Sequence, residues 1–175
     1  SRFPIFTKKI FKLKTRIIAQ NFDPIIRDEL EWYNKVHYDI KDSQESIDIA
    51  NICKFLLKTE NLDGDILELG SKRAGLAKIM AHFLKKINSR KIIYGADTFE
   101  GFPYDDKFSL NNDKKGTSCG FEYEEVINKI REYDVDDKIT LVKGMFEETL
   151  YQKLSKKNFR LFLLIVICMI VQNLV

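Results

Sequence analysis

Asp65-Ile66-Leu67-Glu68-Leu69-Gly70-Ser71-Lys72-Arg73-Ala74-Gly75 is the stretch that decides the fold. Asp63-Gly64 turns the chain into it, and Asp65–Gly70 reads as a short strand ending on glycine. From Ala74 to Ile87 the apolar positions Leu76, Ala77, Met80, Ala81 and Leu84 have helical spacing. A strand, a glycine turn and a helix therefore follow one another directly. Working outward, Lys91–Asp97 is a second strand with an acid at its C-terminal end, and a polar stretch of about 25 residues follows it, long enough to suspect a functional loop. Residues 123–133 form a helix through Val126, Ile127 and Ile130. Lys138–Lys143 is a third strand with Gly144 after it, residues 146–156 look helical, and Phe159 opens a fourth strand. Strands alternating with helices at this spacing predict an α/β fold of the Rossmann-like kind, a doubly wound parallel sheet with helices on both faces.

The rest of the chain sets limits. With 175 residues, 45% hydrophobic and 12% aromatic, it is long enough to bury a core without a disulfide or metal staple, and too aromatic for intrinsic disorder. Its formal charge of +3 is too balanced to point to nucleic acid as a partner. Cys53, Cys119 and Cys168 form no CxxC pair, which reads as a reducing, cytoplasmic compartment without a zinc site. The chain opens on Ser1 rather than Met, as a fragment or processed product would, and shows no signal peptide. Residues 1–42 read as a basic and aromatic N-terminal extension, and 43–175 as the main domain. The first twenty residues carry Arg2, Lys8, Lys9, Lys12, Lys14 and Arg16 and no acid, with apolar residues between them. That is the pattern of a basic amphipathic helix with a solvated face, or one that docks on a partner or a membrane surface. Residues 21–42 are expected to be irregular or short-helical. Asp42 is read as the N-cap of a helix over about 43–59, with Glu45 three positions on. His37 is assigned to a surface or packing role ahead of a lid over the acceptor, His82 to a structural role, and Asp105, Asp106 and Asp113 to solvating the long loop. Cys119 lies in that loop with no base nearby in sequence.

In doubly wound sheets ligands bind at the C-terminal ends of the strands. Three features fall there. The Glu68–Gly75 turn places Gly70 where the chain must fold back tightly and leaves free N–H groups at the start of a helix. Asp97 is placed to accept hydrogen bonds from both hydroxyls of a ribose. Gly144 offers bare backbone on which an adenine could lie. Each feature alone is as readily structural. Their coincidence at three successive strand ends points to a nucleoside cofactor. NAD calls for G-x-G-x-x-G, so that pyrophosphate can approach the backbone. Here the spacing is Glu-x-Gly-x-x-x-Ala-Gly, a wider loop with an acid in the strand, which favours S-adenosylmethionine and leaves NAD as the alternative.

Gly64–Gly70, Tyr94–Pro103 and Leu141–Leu150 together resemble the macrocin O-methyltransferase (TylF-like) family of class I S-adenosylmethionine-dependent methyltransferases. Asp-Thr-Phe-Glu-Gly-Phe-Pro at 97–103 is the most specific piece. The resemblance spans about 43–158. It implies methyl transfer to a small-molecule hydroxyl, on a sugar or natural product. It also implies that Glu68, Gly70, Ser71 and Gly75 surround the methionine end of the cofactor, that Asp97, Thr98 and Phe99 hold ribose and adenine, and that Gly144 and Met145 line the adenine. The family often has two glycines where this chain has Ala74-Gly75. An unpaired sheet edge would invite a homo-oligomer.

The resemblance further implies acidic residues after the fourth strand that hold Mg2+ and activate the acceptor hydroxyl. This chain instead has Leu161–Val171, eleven apolar residues without an acid, so no catalytic or metal-binding residue is assigned. The run is too short to span a membrane, which takes about 20 residues, and no transmembrane segment is expected. One hypothesis is a shifted reading frame: A/T-rich codons for Leu163–Leu174, read one base earlier, can spell Asp-Cys-Asp-Met-Tyr. The gene sequence decides it. On that hypothesis the C-terminal strands of the fold are missing and the product is an inactive, truncated cofactor-binding remnant. Otherwise the run is a natural buried strand.

Overall fold

The computed structural model describes residues 5–40, 44–102, 105, 114–116, 122–155, 157 and 159–164, with backbone alone over 5–8 and 160–164. The chain divides into two compact units, Ser1–Asn61 and Leu62–Val175.

The first unit holds three helices, α1 (Ile5–Ala19), α2 (Pro24–Ile40) and α3 (Ser46–Lys58), each packed on the other two. The expected basic N-terminal helix is present as α1. The expectation of irregular or short-helical structure over 21–42 is corrected in length by α2, a 17-residue helix. Asp23-Pro24 opens it: Pro suits the first helical position, where no N–H is needed, and Asp23 O accepts from the N–H groups of Ile26 and Arg27. Ile26, Leu30, Tyr33, His37 and Ile40 then recur at helical spacing and are buried. The start of α3 is corrected too. Glu45, not Asp42, is its N-cap, in a reciprocal capping box with Asp48. Inside the unit Thr15 Oγ1 and Ser46 Oγ share a buried hydrogen bond of 2.6 Å, and Tyr33 donates its hydroxyl proton to Gln44 O at 2.7 Å. His37 stacks on Phe11 with centroids 3.8 Å apart, which bears out its packing role.

The second unit holds the sheet, with β1 (Asp65–Leu69), β2 (Ile93–Asp97), β3 (Ile139–Lys143) and β4 (Phe159–Leu164). All pairings are parallel and the order is β3-β2-β1-β4. The chain winds outward from β1 through α4 (Gly75–Lys86) and α5 (Tyr123–Glu132), then returns to place β4 on the other side of β1. The order therefore reverses at β1, which is where a doubly wound sheet opens a crevice. Consecutive burial of Ile66, Leu67 and Glu68, and of Ile93 through Ala96, shows both faces covered, as parallel strands require. One face carries Leu67, Tyr94, Ala96 and Val142, packed with Phe146, Leu150 and Leu154. α4 packs on β2 and β3, with Ile79, Met80, Phe83 and Leu84 buried. The helix expected over 146–156 is two shorter pieces, α6 (Phe146–Thr149) and a π-helical turn over Leu150–Leu154. Register sets Glu68 beside Gly95 and Gly95 beside Leu141, so the strand tips finish at one level.

Candidate functional site

Three loops leave the C-terminal edge of β1, β2 and β3, and backbone hydrogen bonds tie them together. Ala96 O accepts from the Gly70 N–H at 2.8 Å and from the Ser71 N–H at 3.3 Å. Asp97 O accepts from the Gly144 N–H at 3.0 Å. The Asp97 carboxylate adds a cross-link between loops 25 positions apart: Oδ2 accepts from the Lys72 N–H at 2.8 Å, and Oδ1 from the Phe99 N–H at 2.8 Å. Asp97 thus fixes the glycine turn after β1 and its own turn after β2.

The first loop is tightly wound. Gly70 has φ 81°, while Lys72 and Ala74 have φ 50° and 53°, in the left-handed region that non-glycine residues enter at a cost. Ala74 is the fully buried N-cap of α4, so the methyl that distinguishes Ala74-Gly75 from a glycine pair is accommodated at a strained backbone position. Gly75 is half-buried at the first position of α4. Glu68 is 1% exposed, and its Oε2 accepts from the Ser71 hydroxyl, itself buried. A carboxylate so buried is sustained only with hydrogen-bond or charge partners around it.

At the second strand end Thr98 turns inward on its own loop, donating from Oγ1 to Gly101 O at 2.9 Å and accepting from the Glu100 N–H at 3.3 Å. Phe99, at φ 56° and 3% exposed, packs its ring against Tyr123 with centroids 4.9 Å apart. At the third, Gly144 has φ 138°, and Met145 is the half-buried N-cap of α6, its carbonyl accepting from Thr149 N–H and Oγ1. The nine residues singled out in the sequence all lie at this edge: Glu68 and Asp97 near the ends of β1 and β2, Gly75 at the start of α4, and the other six on the three loops. Two contributors were missed. Lys72 acts through its backbone, which no side-chain pattern announces. Gly95 lies within β2, and its one signal was a glycine inside a strand, a mark of close approach. Of the long loop, Asp105 accepts from the Lys115 N–H at 2.8 Å, and Cys119, Asp106 and Asp113 lie outside the described residues.

The sequence matches the family of Macrocin-O-methyltransferase (TylF) over residues 16–163. The chain belongs to this family. The match begins within α1, so α2 lies inside the family region although it precedes position 43, where the motif resemblance starts. Among solved structures, this TylF-family chain is similar to the O-methyltransferase NovP, with 21% identity and a TM-score of 0.54 over 83% of this chain and 67% of that one. It is similar also to CalS11, calicheamicin methyltransferase, with 17% identity and a TM-score of 0.51 over 86% of this chain and 62% of that one. These likenesses establish the methyltransferase type of fold, and the chain spans about two thirds of the length of either relative. Comparison with curated proteins gives no match.

Proposed function

We propose that this TylF-family chain binds S-adenosylmethionine at the C-terminal edge of β1, β2 and β3 and acts as an O-methyltransferase on a hydroxyl of a sugar or natural product. The observation that carries the reading is Asp97, which joins all three loops: its carboxylate accepts from the Lys72 and Phe99 N–H groups and its carbonyl from the Gly144 N–H. A carboxylate has about four acceptor positions. Each oxygen accepts one backbone N–H, and Thr98 Oγ1 lies 3.5 Å from Oδ1, so acceptor positions remain on both oxygens for ribose hydroxyls. Glu68 and Ser71 supply an acidic wall on the β1 side, suited to a cationic cofactor, with Gly70 and Gly75 adding no side chain at the two ends of the turn. Thr98 shapes the β2 turn through Gly101. Phe99 contributes its backbone and a ring already seated on Tyr123. Gly144 and Met145 bound the β3 side, where adenine would lie. S-adenosylmethionine, when bound, supplies the activated methyl group. The protein's part is to hold donor and acceptor in line and to exclude water. Among the described residues no group of three His, Cys, Asp or Glu side chains converges as a metal site. A cytoplasmic, self-associating protein belongs to the same reading.

Titration calorimetry with S-adenosylhomocysteine and with NAD tests the proposal. The first is expected to bind and the second not. Asp97→Asn keeps one acceptor oxygen for the loop and removes the charge. It should weaken S-adenosylhomocysteine binding by about 1–3 kcal/mol. NAD binding in its place, or unchanged affinity in the variant, overturns the assignment.

A second reading, a cofactor-binding protein without turnover, is favoured by one observation: Leu161–Val171 is apolar throughout where the resemblance calls for acids. Tight S-adenosylhomocysteine binding with no methyl transfer to any hydroxylated acceptor, with or without magnesium, would support it, and the codons after Leu163 would show its origin.

A further inference from the structure

The helix α1 carries two apolar stripes, and only one is used within its own unit. Phe11, Thr15, Ile18 and Ala19 are wholly or partly buried, with Phe11 seated on His37 and Thr15 bonded to Ser46. Ile10, Leu13 and Ile17 form a second stripe at i, i+3 and i+7, and are 40%, 61% and 57% exposed. Lys14 borders this stripe on one side, and Lys9 and Arg16 on the other, with Lys12 beyond them. All four cations are exposed. From Ile5 to Ala19 the helix has five cations and no acid.

We propose that this face of α1 docks on an anionic lipid bilayer, with the helix lying in the plane of the surface. Charge selects the occupant. A second copy presenting the same face would set two acid-free cationic helices against each other, and like charges in apposition oppose association. A nucleic acid would use the cations and leave three large apolar side chains in water. An anionic bilayer satisfies both: the stripe enters the boundary between headgroups and acyl chains, while the long stems of Lys9, Lys14 and Arg16 carry their charges out to the phosphates. Cations near such a surface each add attraction that falls with salt. Among the described residues no helix is long and apolar enough to cross a membrane, so the contact is with the surface.

Co-sedimentation of the full chain with phosphatidylglycerol/phosphatidylcholine vesicles, and with pure phosphatidylcholine vesicles, tests the proposal. The chain should partition onto the anionic vesicles, detach as salt rises, and leave neutral vesicles largely unbound. Leu13→Gln with Ile17→Gln keeps helix propensity and charge, and should lower partitioning about tenfold or more. Lys9→Gln with Lys14→Gln should lower it and flatten its salt dependence. Circular dichroism checks that each variant keeps its helices. Three results overturn the proposal: no binding of the folded wild type to anionic vesicles, equal binding by the Leu13/Ile17 variant, or a concentration-dependent dimer that this variant abolishes without any vesicle binding. None of these readouts depends on the cofactor.

Discussion

A Cβ at Gly95 would stand 2.6 Å from Ser71 Oγ and 3.3 Å from Leu141 Cδ2. Ser71 Oγ cannot simply swing aside, because it donates to the buried Glu68 carboxylate. Gly95→Ala should therefore overpack the strand end and deprive Glu68 of a donor, costing about 2–4 kcal/mol in urea unfolding. Adding Ser71→Gly removes the obstacle, so the double variant should be less destabilised than the sum of the singles by more than about 0.5 kcal/mol. Strict additivity would mean the two residues do not compete for space. Gly144 shows how one glycine can satisfy two readings. The sequence points to it as bare backbone for a ligand. The structure supplies a local reason as well, since its φ of 138° is one that side-chain-bearing residues rarely adopt, and a Cβ would lie 2.7 Å from Thr149 Cγ2.

Among the elements, those with plain periodicity were legible and those defined by their ends were not. β1, α4, β2, α5 and β3 lie within two residues of where hydrophobic spacing put them. α2 is longer than the irregular or short-helical structure its sequence suggests, because its aromatic residues mask an ordinary helical stripe that Asp23-Pro24 opens. The cap of α3 was misplaced by three residues because Asp42 and Glu45 offer the same box pattern as Glu45 and Asp48, and local sequence cannot rank them. One link between elements has a pH signature. Lys85 at the end of α4 donates to Asp134 Oδ2 at 3.0 Å and to Asp137 Oδ1 at 3.2 Å, beyond α5. The hydrogen bond to Asp134, reinforced by Asp137, raises its pKa above the ordinary lysine value. A raised pKa means the contribution is complete below the unfolded lysine's titration, near about pH 10.4, and is lost as pH rises through the folded value. Solvent exposure keeps it small. Lys85→Met should lower the urea midpoint at pH 8, and the gap from wild type should narrow at about pH 11.5. A gap equal at both pH values would show that the lysine acts through packing of its stem.

Over the whole molecule, the proposed site draws on three loops of one unit, so its ligand should stabilise that unit as a body. S-adenosylhomocysteine at a hundredfold excess over its dissociation constant should add about 2.7 kcal/mol. That raises the thermal midpoint by about 5–10 °C. NAD at the same excess should leave the midpoint where it was, and a midpoint unmoved by S-adenosylhomocysteine would count against the site. The sequence by itself determined the kind and order of the elements in the sheet unit, because a period of two or of 3.6 and a turn residue are properties of neighbours along the chain. It also determined the family, through Asp97–Pro103 and its flanking motifs. The tertiary structure alone decided that the strands lie in the order β3-β2-β1-β4, that Gly95 clears space for Ser71, and that Asp97 grips Lys72 from 25 residues away. Each of these is a contact between segments remote in sequence, brought together by burial of both sheet faces, and no local pattern encodes which backbone N–H a distant carboxylate will meet.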